Sequence, residues 1–299
     1  MDAKFHPAIA AIKAGDLDEL ESLVSQAPSL ATARSSKSHP TLLQCLTLDA
    51  CDVPNKVDMA KVLIDAGAEI NGPLVACASG NNVEVAAALL EAGALINGAG
   101  GWSPLEEALY WGSNDVRDLL LERGASINNL RIASGLGRVD LIEAFFNSDG
   151  SLKPEAGRIE WPFTDPLTSN IPSPIKQQLQ ATIDGWSHES QDIINNAIVY
   201  ACMHNQIEAA KLLLRKGAEI DAIPPGFHYP GTGLHNAAGN GHRAMVEFLI
   251  EQGADANVKD QERGGSPAGW AAYGGHVELS DFLEQIGEAQ TEKGAQGML

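Results

Sequence analysis

Residues 231–257, GTGLHNAAGNGHRAMVEFLIEQGADAN, decide the architecture. Two apolar runs of different character flank a glycine-rich turn. The first, LHNAAG, is built from small side chains, and the second, RAMVEFLIE, is an amphipathic run rich in large aliphatics. Gly253 supplies the left-handed residue that ends a helix at little cost, and the residues after it let the chain fold back. The stretch reads as helix, turn, helix, loop.

The same closing phrase recurs outward in both directions: DAGAEIN at 65–71, EAGALIN at 91–97, ERGASIN at 122–128 and RKGAEID at 215–221. A run of small residues precedes each amphipathic run, as in LVACASGN, LEEALYWG and IVYACMHN. Alanines in the first helix (Ala76, Ala78, Ala108, Ala201, Ala237, Ala238, Ala271, Ala272) permit close approach of neighbouring units, and Leu and Val in the second fill the space between them. Each unit is too thin to bury its own apolar face, so stacking supplies the burial and stability becomes a sum of nearest-neighbour contributions.

At this point the chain resembles the ankyrin-repeat family, whose pattern is a TPLH tetrapeptide, two alanines, a GH pair, a Leu-rich helix and a closing GADxN. Besides residues 231–257, the matches are GSPAGWAAYGGHVELSDFL at 265–283 and WSPLEEALYWGSNDVRDLLLERGASIN at 102–128. His235 stands in the histidine slot of the tetrapeptide, and Gln44, Val75, Glu107, Arg131, Val199 and Gly269 take that slot elsewhere. The resemblance implies an all-α solenoid of stacked helix-turn-helix units with short β-hairpin fingers, interrupted by one long insertion. Eight units are expected, at about 5–34, 36–71, 72–97, 98–128, 129–150, 191–221, 222–257 and 260–287. They group as N-terminal repeats 1–150, an insertion 151–190 rich in proline and aromatics, C-terminal repeats 191–287, and a polar tail 288–299 expected to fray. The insertion is read as a lid or a degenerate repeat. Two units enter their first helix at once, after Asn71 and after Asn128, and should lack the finger.

Composition narrows the function. A formal charge of −19 in 299 residues repels phosphate and anionic headgroups, which argues against nucleic acid and membrane surfaces as partners. No apolar stretch approaches the roughly 18 residues that span a bilayer, and an intracellular protein, cytoplasmic or nuclear, is expected. Cys45, Cys51, Cys77 and Cys202 lack the spacing of a zinc site or a disulfide framework. No metal and no cofactor is expected. GxSxG and HExxH are absent from the sequence, and Cys77 and Cys202 take alanine positions where a thiol is packing. His235, His242 and His276 fall on slots where the resemblance implies imidazole-to-backbone bonds. The acidic pairs and runs at Asp16–Glu21, Glu106–Glu107 and Glu278–Glu284 read as solvated helix surface.

Aromatics make up only 5% of the chain, so their placement carries information. The resemblance implies that finger tips and the inner ends of the first helices form the concave recognition surface. Trp102, Tyr110, Trp111, Met203, His204, Phe227, His228, Tyr229 and Tyr273 occupy such positions, and Trp161 or Trp186 could close the groove from the insertion. The function expected is a protein–protein interaction module that binds a partner protein or peptide in this groove, with a basic surface or segment as one form of that partner. The alternative is a small-molecule-binding or catalytic protein of isomerase, cyclase or hydrolase type. Its pocket would be closed by 151–190, with His204 or Tyr110 as acid or base. A third reading is a regulatory subunit whose array ends dock a larger enzyme. Binding is preferred over chemistry because no catalytic motif supports the latter.

Overall fold

The computed structural model describes residues 2–35, 41–48, 52–99, 102–158 and 189–296, with Gln177 and Ala181. In it the recurrent phrase acts as a helix stop followed by a staple. At Gly93 the backbone turns left-handed, with φ of 92°. The Gly93 amide bonds the Leu90 carbonyl at 3.0 Å, and the Ala94 amide bonds the Leu89 carbonyl at 2.9 Å. The helix therefore ends with its last carbonyls satisfied. The final polar residue of the phrase then reaches the next repeat. Asn71 Oδ1 accepts the Leu95 amide at 2.8 Å, Asn97 Oδ1 accepts the Ser126 amide at 2.8 Å, and Asp221 Oδ1 accepts the Asp255 amide at 3.1 Å. In each case the donor lies two residues past the glycine of the following phrase, so one side chain fixes the register of neighbouring pairs.

The described residues fall into two compact units, one running to Ser126 and the other made of residues 127–158 and 189–296. In unit 1 the order is α1 (His6–Ala14), α2 (Leu17–Gln26), the single turn α3 (Ser29–Thr32), α4 (Leu42–Leu48), α5 (Lys56–Asp65), α6 (Asn71–Ser79), α7 (Val83–Glu91), α8 (Pro104–Trp111) and α9 (Asn114–Glu122). Unit 2 contains α10 (Leu130–Gly135), α11 (Val139–Ala144), α12 (Ser190–Met203), α13 (Ile207–Arg215), α14 (Gly233–Gly239), α15 (Arg243–Glu251), α16 (Pro267–Tyr273) and α17 (Val277–Gln296). Within each unit first helices pack on first helices, as α4 on α6 on α8 and α10 on α12 on α14 on α16. Ala76, Ala78, Ala108, Ala201, Ala237, Ala238 and Ala271 are all buried, which permits that approach, while Ala272 on the last pair is exposed. Leu89, Leu120, Leu213 and Leu249 on the second helices are fully buried, each contributing roughly 1.5–3 kcal/mol.

The boundary falls at residue 126 rather than at 150. Leu130, Ala133, Ile142 and Phe146 share one core with Ile194, Ala197 and Ala201, so the α10–α11 pair belongs with the repeats that follow it. The start of the expected insertion also joins this unit, through an isolated bridge between Phe146 and Leu152 and through buried Ala156. Helices α6 and α10 begin at Asn71 and Leu130, leaving no room for a finger, as expected. In the long loop after Gly253 the turn is closed by the Asp260 amide on the Gly265 carbonyl at 2.9 Å, and among the described residues no strand forms there. The tail does not fray after residue 287: α17 continues to Gln296. Gln290 explains the extension, donating to the Ala254 carbonyl at 2.8 Å and accepting the Ala256 amide at 2.9 Å.

Capping corrects two positions of the tetrapeptide slot. Thr232 and His235 form a reciprocal cap at the start of α14, and at α8 the equivalent partner of Ser103 is Glu106, not Glu107. At α10 Asn129 accepts the amide of Ile132 at 2.9 Å, so Ile132 rather than Arg131 holds the slot. The His235 ring reaches further. Its Nδ1 accepts the Thr232 amide at 3.2 Å, which leaves Nε2–H to donate to the Gly265 carbonyl at 3.1 Å and tie helix to finger. Burial holds this imidazole below its usual pKa. His242 Nε2 donates to the Met203 carbonyl of the preceding repeat at 2.9 Å.

Candidate recognition surfaces

In unit 1 the aromatic residues converge on a carboxylate. Trp102 Nε1 donates to Glu107 Oε2 at 2.6 Å and Trp111 Nε1 donates to Glu107 Oε1 at 3.0 Å, while the Ser79 hydroxyl from α6 donates to the same Oε1. Tyr110 stands edge-on to both indoles, with ring centroids 6.1 Å from Trp102 and 5.2 Å from Trp111. Glu107 is 2% exposed. Burial drives its carboxyl up to about 7, against the pull of the Ser79, Trp102 and Trp111 hydrogen bonds, and neighbouring Glu106 adds to the rise.

This arrangement overturns the expectation that Glu106 and Glu107 are solvated surface. Glu106 is buried in the cap, bonding the Ser103 amide at 2.8 Å, and Glu107 is buried under its three donors. Trp102 is also buried, at 6% exposure, whereas Trp111 is 45% exposed and Tyr110 is half-buried. Trp102 therefore serves as a support for Glu107, and Trp111 is the member of the trio that offers ring surface.

In unit 2, His204 caps the C-terminal end of α12, half-buried beside Met203. Phe227 is buried against Tyr200, ring centroids 5.4 Å apart, so it anchors the finger. His228 and Tyr229 pack edge to face at 4.6 Å and both are exposed. Tyr273, at the end of α16, is 94% exposed. Trp161 and Trp186 lie outside the described residues.

A groove of about 470 Å³ opens between the last finger and the first helices, with Tyr229, Trp270 and Tyr273 among its walls. Sequence reasoning passed over Trp270. The scarcity of aromatics was the available signal, since this ring stands four residues after the cap Ser266, where Asn236 stands in the preceding repeat. The ring is held by Asp260, whose Oδ2 accepts Trp270 Nε1 at 3.0 Å. Asp260 also gathers the amides of Glu262, Arg263, Gly264 and Gly265 at 2.7–3.2 Å. Burial opposes ionisation here, but the Arg263 amide, the Trp270 indole and the other donors outweigh it and hold the carboxyl at about 2.

The chemistry of these groups is that of positioning. Cys77 and Cys202 are buried thiols; burial pushes both up, Cys202 to about 12, so neither presents a thiolate. Among the described residues no group of three or more His, Cys, Asp or Glu could hold a metal ion. The two candidates for acid–base work, Tyr110 and His204, fall in different units. Among the described residues no helix is long and apolar enough to cross a membrane.

Family models described as ankyrin repeats match residues 47–131, 198–250 and 234–284, together more than half of the chain. Ankyrin repeat protein nuc-2 of Neurospora crassa is 25% identical over 240 residues, covering 64% of this chain and 21% of that protein. Ankyrin repeat and KH domain-containing protein mask-1 of Caenorhabditis elegans is 37% identical over 92 residues, 30% of this chain and 3% of the relative. Palmitoyltransferase AKR1 of Lachancea kluyveri is 24% identical over 140 residues, 44% of this chain and 18% of the relative. The chain thus spans about a fifth or less of the length of these relatives.

Proposed function

Because the chain belongs to the ankyrin-repeat family, whose members are protein–protein interaction modules, we propose that it binds basic segments of a partner protein on the faces that first helices and fingers form within each unit. The observation that carries this reading is the exposure of large rings in both units of a strongly acidic chain. Trp111, Tyr229 and Tyr273 are 45%, 47% and 94% exposed, and the net charge is −19. Partly exposed aromatic rings gain most when a partner removes them from water, and opposite charge accelerates encounter. Two buried free thiols, Cys77 and Cys202, suit a reducing compartment, so the cytoplasm or nucleus is the proposed location.

The test is affinity capture with the wild type and with Trp111→Ala and Tyr229→Ala, at 0.15 M and 0.5 M salt, a change that roughly halves the screening length. Bound proteins should be depleted at least about tenfold by either substitution, and recovered less at high salt. If the same proteins are captured in the same amounts by all three chains at both salts, the proposed surface is wrong.

A further inference from the structure

The groove of unit 2 has a donor–acceptor pattern that selects among basic side chains. Asn236 Nδ2 donates to the Thr232 carbonyl at 3.0 Å and Asn240 Nδ2 donates to the Asn236 carbonyl at 2.9 Å. A carbonyl can only accept, so these bonds fix both amide orientations and identify Oδ1 as the acceptor end of each side chain, on two residues that line the groove. Glu262 adds a carboxylate at the rim. The walls are aromatic: Trp270 is held in place by its bond to Asp260, and Tyr229 and Tyr273 expose their rings. Side-chain acceptors and aromatic rings that line one groove match a planar, donor-rich cation.

Resting on the proposal that the chain binds a basic segment, we infer that this groove is a socket for an arginine side chain of that segment. A guanidinium stacks flat on an indole or phenol while its edge donates in the same plane, here toward Asn236, Asn240 and Glu262. A lysine ammonium, a compact and strongly hydrated charge, offers neither a plane to stack nor a fork of donors. A volume of about 470 Å³ accommodates a long side chain with its flanking backbone. The cation already present, Arg263, does not fill the position. Its Nε lies 3.9 Å from Glu262 and its side chain is 75% exposed, so it can swing into solvent when another cation enters. Asp260 is not a ligand, because its oxygens are engaged by the finger amides and by Trp270.

Fluorescein-labelled octa-arginine, octa-lysine and octa-glutamate, titrated into the full chain at 0.15 M salt and read by polarisation, test the socket. Octa-arginine should bind about tenfold more tightly than octa-lysine. Tyr273→Ala should cost octa-arginine about tenfold and octa-lysine less than about twofold, and Glu262→Gln should cost octa-arginine about threefold. The Tyr273 side chain is almost fully exposed, so an unchanged melting curve will separate loss of binding from loss of fold. Equal affinity for arginine and lysine, or preference for octa-glutamate through Arg263, overturns the proposal. Octa-arginine binding that survives Tyr273→Ala and falls with Trp111→Ala sinks the socket and leaves the wider proposal standing. If neither polycation binds, both are lost.

Discussion

Among the described residues two carboxylates hold tryptophan indoles, and their pKa values are displaced in opposite directions from the ordinary carboxylate range. Glu107 in unit 1 accepts two indole N–H groups and a hydroxyl, and its carboxyl rises to about 7. Asp260 in unit 2 accepts one indole and four backbone amides, and its carboxyl falls to about 2. Both have little exposed surface, 2% and 8%, but Glu107 is surrounded by protein far more deeply than Asp260, so desolvation weighs more on it. The donor sets differ as well. Asp260 sits inside a turn whose successive amides all point at it, whereas Glu107 lies on a helix whose amides are committed to the helix, and it has Glu106 beside it. A finger can assemble an anion site from its own backbone; a helix face must borrow side chains from neighbours.

The largest expected effect is the pH dependence at Glu107. Its folded pKa lies above the ordinary 4.5, so its contribution to stability is full below pH 4.5 and is lost as the pH rises to about 7. The loss should reach on the order of 3 kcal/mol. Urea unfolding at pH 5 and pH 8 should show it in the wild type and not in Glu107→Gln, where nothing ionises. An identical pH difference in both chains would break the comparison on the unit 1 side.

Asp260→Ala should cost about 2 kcal/mol, because the finger amides keep access to water while the Trp270 indole loses its partner. The sign with pH is the reverse of that at Glu107. A depressed carboxyl stabilises above its ordinary 3.8 and loses that contribution only as the pH falls toward about 2. The cost of Asp260→Ala should therefore be the same at pH 5 and pH 8. A penalty that changes across that range would mean that the turn does not hold the anion as described.

The fold was legible because its determinants are local. Gly93 needs a left-handed backbone, the alanines need a close neighbour, and the aliphatics need a stack, and each requirement can be read within a single repeat. The staples were half legible: Asn71 and Asn97 stand out as recurring letters, but the amides they meet lie 24 and 29 residues away. Glu107 was misread for the same reason. Adjacent acids on a helix look solvated until Ser79, on the preceding pair, and the two indoles are seen to surround one of them. Trp102 passed for a surface ring because its position in the repeat is a finger position, and its bond to Glu107 and its contact with Tyr110 go with its burial. Trp270 stood in the slot that Asn236 fills in the preceding repeat, where pattern matching attaches no weight to ring size. At the C-terminal end, a polar sequence concealed the bonds of Gln290 that keep α17 helical.

Asp221 provides the smallest and sharpest probe of the donor argument. It accepts the single Asp255 amide, through both oxygens at 3.1 and 3.3 Å, in a half-buried position. Burial raises its carboxyl, the Asp255 amide opposes this, and the Asp255 charge adds to the rise, so one amide falls short where four suffice. Asn71 and Asn97 fill the equivalent position with a neutral acceptor. Asp221→Asn keeps the Oδ1 acceptor and removes the charge, so it should stabilise the protein at pH 8. The gain is about 0.5 kcal/mol once solvent screening of a half-exposed group is allowed for. Because the wild-type penalty is present above the raised pKa and vanishes on protonation, the gain should shrink as the pH is lowered. A destabilised variant at pH 8 would show that the staple needs its charge, and that counting donors does not explain why Glu107 and Asp260 diverge.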